Sequence, residues 1–365
     1  MTSDTFLNLA RSGHCVPIGT HMVLHEQPDP EAIVLVGERL GGVIADTAAR
    51  FNTPLAVPLM DLTLEKEALL TACEVPADEI GKYHFTQTPK YPAEVALTPR
   101  MQAACSAIGY VVKQPDLFPV GMCIGPYSLL TKLVSDPITP VYLMGMGMTP
   151  KDEPEIGVLN DLLAMGEDVI NRYVDAQMEA GARAVIVCEP AANLVYFSPN
   201  QMETNPEPFE FYVMAPMRRL AARLSARGVA LVFHDCGELT DAMVTRFATL
   251  GAAMMSLGSS RKLDHDAALV PKDTVLYGNL PSKNFYATQL TTQEVERQGR
   301  ELLEAMEATG HPFILGTECD VLSVPGKERE ILSKVDALLR CGCAAHRSPD
   351  QTLRAERVSP VTAGG

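Results

Sequence analysis

The sequence predicts an α/β fold, a single (β/α)8 TIM barrel with a short N-terminal extension, and three observations carry that reading. From about residue 155 onward, helix-period stretches alternate with short apolar, β-branched runs, and each helix candidate stops at a glycine. Strand-like runs recur along one chain of 365 residues that carries no Ser/Gly-rich linker, low-complexity tract or charge block to mark a domain boundary. No strand candidate is followed by a G-x-G-x-x-G turn, and GMGMTP at 145–150 breaks that pattern, which disfavours a doubly wound open sheet.

In chain order the strand candidates of the N-terminal half are HCVPIGT (14–20), PLAVPLMDLT (54–63), FPVGMCIGP (118–126) and PVYLMGMG (140–147). AVIVCEP (184–190), VALVFHDCG (229–237), AAMMSLGSS (252–260), TVLYGNLP (274–281) and PFILGTECD (312–320) follow. The later runs are apolar at successive positions, as strands covered on both faces must be. Helices are expected at about 155–180, 208–227, 238–250, 291–309 and 327–341, with Gly181, Gly228, Gly251 and Gly310 closing the first four. The barrel is expected to occupy 1–345. The remaining stretch, 346–365, has little to bury and is expected to be a disordered tail.

Composition narrows the partners. Thirty basic against 45 acidic residues give a formal charge of −15, so a phosphate backbone is repelled and no nucleic acid is expected. No apolar run approaches the roughly 18 residues of a membrane helix. The start, MTSDTFLNLARSGHCVP, lacks the basic and apolar regions of a signal peptide, so a cytoplasmic protein is expected. Nine cysteines in a long acidic chain point to thiol chemistry or core packing rather than a disulfide framework.

In such a barrel the chemistry sits where the strands end. The residues there include Asp61, Glu189, His234, Asp235, Cys236, Ser259, Ser260, Asn279, Glu318 and Cys319. His234 and Cys236, two apart on an extended strand, face the same side. With Cys319 from another strand end they make three ligands and leave one position of a zinc tetrahedron open, as a catalytic site requires. A core cysteine and a structural histidine are the plain alternatives for each residue taken singly.

Several stretches together resemble the uroporphyrinogen decarboxylase superfamily of (β/α)8 barrels: FPVGMCIGPYSLLTKLVSD (118–136), AVIVCEPAANLVYFSPNQ (184–201), VFHDCGELTDAM (232–243), VLYGNLP (275–281) and ILGTECDV (314–321). The H-x-C with a late cysteine is similar to the methyltransferase branch, typified by methylcobalamin:coenzyme M methyltransferases. Its ligand logic is also similar to that of cobalamin-independent methionine synthase. The decarboxylases carry an early R-Q-A-G-R element for an acidic tetrapyrrole, whereas VPIGTHMVLHE (16–26) has no arginine. The resemblance implies that His234, Cys236 and Cys319 bind Zn2+, which activates an acceptor thiol as a thiolate. It implies a methyl-Co(III) corrinoid (methylcobalamin) as donor, carried by a small corrinoid-binding partner, since this chain has no D-x-H-x-x-G element.

The other strand-end residues have lesser expected parts. Asp61, matching a superfamily aspartate, and Glu189 are expected in the cavity, and Asn279 is expected to bond a ligand or cap the next segment. Asp235 and Glu318 alternate away from the metal, though Glu318 and Glu238 are the nearest candidates for a resting fourth ligand, with water the default. Ser259 and Ser260, in GSSRK (258–262), are candidates for holding an acceptor's anionic group. Met144, Met146 and Met148 are expected to line a wide apolar mouth. A lyase acting on a smaller acid, or a non-catalytic barrel that binds zinc or corrinoid, are the rival functions.

Overall fold

A computed structural model describes residues 2–92 and 94–342, and it forms a (β/α)8 barrel. The expectation for 346–365, and the end of the barrel segment at 343–345, lie outside the described residues. The eight strands are β1 (Cys15–Val16), β2 (Leu55–Ala56), β3 (Phe118–Ile124), β4 (Ala184–Cys188), β5 (Ala230–Asp235), β6 (Met254–Leu257), β7 (Val275–Leu280) and β8 (Phe313–Thr317). Every pairing is parallel, and the order β1-β8-β7-β6-β5-β4-β3-β2 nearly closes the ring.

The alternation of side chains decides what is inside. Ala184, Ile186 and Cys188 join Val232, Met254 and Tyr277 in the cluster that fills the barrel. The intervening Val185, Val187, Leu231, Phe233 and Met255 join the cluster formed with the outer helices. Each strand is therefore buried on both faces, which is why its sequence is an unbroken apolar run. The N-terminal helix Thr2–Arg11 is the extension: Phe6 and Leu9 belong to the interior cluster, and the Phe6 ring meets Phe118, the first residue of β3, edge-on at 5.7 Å. It stops the barrel at the end opposite the strand C-termini.

The helices return where the glycines predict. Pro154–Glu179, Asp241–Ala248, Thr292–Thr309 and Glu328–Gly342 match four of the expected spans closely. The fifth, Glu207 to Ala226, includes one wide π turn at Glu210–Met214. Gly310, at φ 61°, ends the Thr292–Thr309 helix in the left-handed conformation that a side chain penalises. None of the helices among the described residues is long and apolar enough to cross a membrane.

Two strand expectations are corrected. PVYLMGMG (140–147) is not a strand: the helix Ile138–Gly145 takes its place, started by the Asp136 carboxylate, which accepts the N–H groups of Ile138 and Thr139 at 3.0 Å each. A short apolar run fits a buried strand and a packed helix equally well, and here the local cap decides. PLAVPLMDLT (54–63) contributes only Leu55–Ala56, because Pro54 and Pro58 bracket it and neither has an N–H for a ladder.

The shortness of β2 leaves the upper edge of β3 without a strand, and side chains take over. Gln177 accepts from the Met122 N–H at 2.8 Å and donates to the Met122 carbonyl at 3.0 Å. Glu65 accepts from the Ile124 N–H at 3.0 Å. Across the gap to β1, the Thr20 hydroxyl donates to the Val57 carbonyl at 2.7 Å.

Candidate metal centre

β5 delivers His234 to the barrel interior, 1% exposed. The β5–β6 register sets it opposite Ser256, whose hydroxyl is hydrogen-bonded with the imidazole Nδ1 at 2.9 Å. That contact orients the ring and leaves Nε2 buried and without a hydrogen-bond partner. Cys236 lies one residue past β5 and Cys319 two residues past β8. A ring nitrogen of His234 and the two Sγ atoms lie within 4.8 Å of one another.

The backbone around the cysteines is fixed from three sides. Gly258 packs so closely that a Cβ there would stand 2.8 Å from the Cys236 carbonyl oxygen, so only glycine fits. Ser282, opening the 3-10 turn Ser282–Asn284, donates its hydroxyl to the Cys319 carbonyl at 2.9 Å. The next residue, Lys283, donates its ammonium to the Cys236 carbonyl at 3.4 Å. Lys334, 2% exposed at its side chain, anchors this turn from below by donating to the Phe285 and Ala287 carbonyls.

The thiols share a proton unequally. The hydrogen bond from Cys319, aided by His234 and Lys283 and opposed by burial, holds the Cys236 thiol well below its ordinary range. The same bond, with burial, holds Cys319 well above it. Burial works against the Lys283 ammonium, yet the neighbouring Cys236 and Glu318 leave its pKa above the usual lysine value. Two adjacent thiols and an imidazole nitrogen with no hydrogen-bond partner form a soft, preassembled donor set that fits zinc.

The remaining expected residues fall as follows. Asp61 does not stand free in the mouth: it pairs with Arg100 and accepts from the Thr63 N–H and hydroxyl, while Arg100 also meets Glu67 at 3.2 Å. It borders a cavity of about 40 Å3 between β3 and the surrounding helices, lined by Leu64, Met122, Tyr173 and Gln177 among others, with room for a few waters. Glu189 is wholly buried, and its two carboxylate oxygens accept the Tyr127 and Ser128 N–H groups at the start of the helix Pro126–Leu133. Burial raises its pKa to about 7 despite those bonds. It caps that helix.

Asn279 likewise works on its own chain, donating to the Gly258 carbonyl at 2.7 Å and the Arg261 carbonyl at 3.0 Å, which holds the loop after β6 against Cys236. Ser259 gives both its N–H and its hydroxyl to Glu318, at 3.1 and 2.6 Å, and Ser260 bonds the Gly237 carbonyl at 3.3 Å. The turn read as an anion site thus already holds a carboxylate of this chain, and Arg261 in the same turn is paired with Asp241 and Asp266. Met146, 65% exposed, follows the helix Ile138–Gly145 rather than ending a strand. Asp235 is wholly buried: one carboxylate oxygen accepts from the Gly237 N–H at 2.8 Å and the other has no hydrogen-bond partner.

Sequence reasoning missed Ser256, Ser282 and Lys283, together with Met60, whose Sδ lies 3.6 Å from the Cys319 Sγ. Of these only Ser256 had a usable signal, the strand that pairs with β5. A second group of possible ligands, Asp241, His265 and Asp266, is closed by the Arg261 guanidinium.

Residues 45–328 match the family model of uroporphyrinogen decarboxylase (URO-D). No curated protein matches the chain. Among solved structures, a methyltransferase from Methanosarcina mazei aligns with a TM-score of 0.60 at 17% identity, over 89% of this chain and 91% of that one. At that identity the likeness is one of fold. A B12-independent methionine synthase from Shewanella sp. W3-18-1, in complex with selenomethionine, aligns with a TM-score of 0.38 at 13% identity over 74% of this chain and 72% of that one.

Proposed function

Since this chain belongs to the uroporphyrinogen decarboxylase (URO-D) family, we propose that it works as a zinc-dependent methyltransferase of that family, moving a methyl group between a corrinoid and a thiol. The observation that carries the reading is the buried, unpartnered Nε2 of His234 beside two thiols within 4.8 Å. Leaving an imidazole nitrogen buried and unpaired costs about 1–3 kcal/mol, a cost that a metal bond offsets. A decarboxylase of a polyanionic macrocycle needs cations around its substrate, and residues 16–26 supply no arginine.

In this reading His234, Cys236 and Cys319 hold the metal and leave a position for the acceptor sulfur. Zinc supplies one thing, a thiolate at neutral pH from a thiol whose free pKa is near 8.5. Ser256 keeps the imidazole in the ligating orientation. Two thiolates and one neutral imidazole balance the ion's charge, so an incoming thiolate brings the site to a single negative charge, and the Lys283 ammonium stands beside it. Asn279 and Gly258 keep the loop after β6 close to Cys236. The donor is a methyl-Co(III) corrinoid delivered by a small corrinoid-binding protein, in keeping with the likeness to methylcobalamin:coenzyme M methyltransferases.

Elemental analysis tests the reading. Purified protein should carry about one zinc per chain, and Cys236→Ser or Cys319→Ser should lower occupancy sharply while circular dichroism stays unchanged. A folded, metal-replete preparation without zinc would sink it.

A further inference from the structure

The Sδ of Met60 stands 3.6 Å from the Sγ of Cys319. Met60 follows β2 on the stretch that Pro58 keeps out of the ladder, and its side chain packs against the cluster filling the barrel interior. The thioether therefore enters the same space as the three ligands. Two sulfurs bound to one tetrahedral zinc at about 2.3 Å each lie roughly 3.8 Å apart, so the observed separation is that of neighbouring ligands.

The carboxylates first considered for the fourth position are otherwise placed. Glu318 accepts two hydrogen bonds from Ser259, and Glu238 is exposed. We propose that Met60 supplies the fourth ligand of the resting metal through Sδ, as a labile group that an acceptor thiol displaces. This rests on the zinc reading above.

The chemistry of a thioether suits that part. It is neutral, so one imidazole, two thiolates and one thioether around Zn2+ carry no net charge, whereas a carboxylate would leave one negative charge. A thioether is a far weaker donor than a thiolate, and the unbranched methionine side chain has the torsional freedom to swing aside. In the exchange the bond from zinc to Met60 Sδ breaks and the bond to the acceptor sulfur forms. The thiol's proton goes to solvent, and no electron is gained or lost.

X-ray absorption at the zinc edge reads this directly. The full chain, labelled with selenomethionine and loaded with zinc alone, should show a selenium scatterer at bonding distance. Of the 17 methionines only one that ligates the metal contributes at that range. The signal should vanish in Met60→Leu, which keeps about one zinc per chain because His234, Cys236 and Cys319 remain. It should also vanish in the labelled unmutated protein on addition of 2-mercaptoethanol, replaced by sulfur. Zinc bound through two sulfurs and no selenium would overturn the inference and leave the zinc reading standing. A selenium signal that survives Met60→Leu would overturn it as well. A folded protein that takes up no zinc would overturn both.

Discussion

Ser256 faces His234 across the β5–β6 ladder, and its hydroxyl meets the imidazole Nδ1 at 2.9 Å. The bond leaves Nε2 as the one ring nitrogen free to ligate, so the strand register selects the ligating atom.

Ser256→Ala should therefore weaken zinc binding on the order of 10-fold to 100-fold, the usual effect of losing a partner that orients a ligating histidine. Competition for zinc with a chromophoric chelator measures it. Unchanged affinity would mean that the ring is held by packing alone.

Lys283 concerns the acceptor rather than the metal. Lys283→Met should keep zinc but weaken thiol binding by about tenfold, roughly 1.4 kcal/mol, because the negative charge that a thiolate adds then stands without its neighbouring cation. Lys283→Arg should restore most of the loss. Equal thiol affinities in all three proteins, read by calorimetry, would contradict this part of the account.

Glu65 tests the mended edge of β3. It is fully buried, and burial raises its pKa to about 7 from the ordinary 4.5. Between those values the folded chain keeps a proton that the unfolded chain gives up, so stability falls as pH rises through that window and levels off above it. Glu189, with a pKa also near 7, adds to the same trend. Glu65→Gln keeps an acceptor for the Ile124 N–H and removes the charge. It should be up to about 3 kcal/mol more stable than the unmutated chain at pH 8, with a smaller loss between pH 5 and 8 in urea denaturation. The same pH slope in both proteins would show that the Glu65 carboxyl does not keep its proton through that window.

What the sequence disclosed follows from what is local. The glycines after the helices, the buried apolar strands, and the two-residue spacing of His234 and Cys236 are properties of short stretches, and they pointed to the barrel and to the two residues of β5 that the structure brings together with Cys319. Ser256 becomes visible only through register, and Lys283 only through a turn that Lys334 ties down from another helix. Met60 depends on two prolines cutting β2 to Leu55–Ala56. Glu189 and Asn279 end strands, where a barrel carries its chemistry, but a strand end is also where backbone groups run out of partners, and both side chains supply those partners. The run at 140–147 misled because its apolar residues suit either period, while Asp136, the residue that starts the helix, precedes it.

The central claim is that the metal holds the acceptor as a thiolate, and a calorimetric titration of a thiol into the zinc-loaded protein tests it most directly. A thiol of pKa near 8.5 is mostly protonated at pH 7 and wholly deprotonated on zinc, so binding must release about one proton. The apparent enthalpy, measured in buffers of different ionisation enthalpy, should vary with a slope near one proton, and His234→Ala should abolish that dependence. Tight binding of the thiol with no dependence on buffer would contradict the account, even with zinc in place.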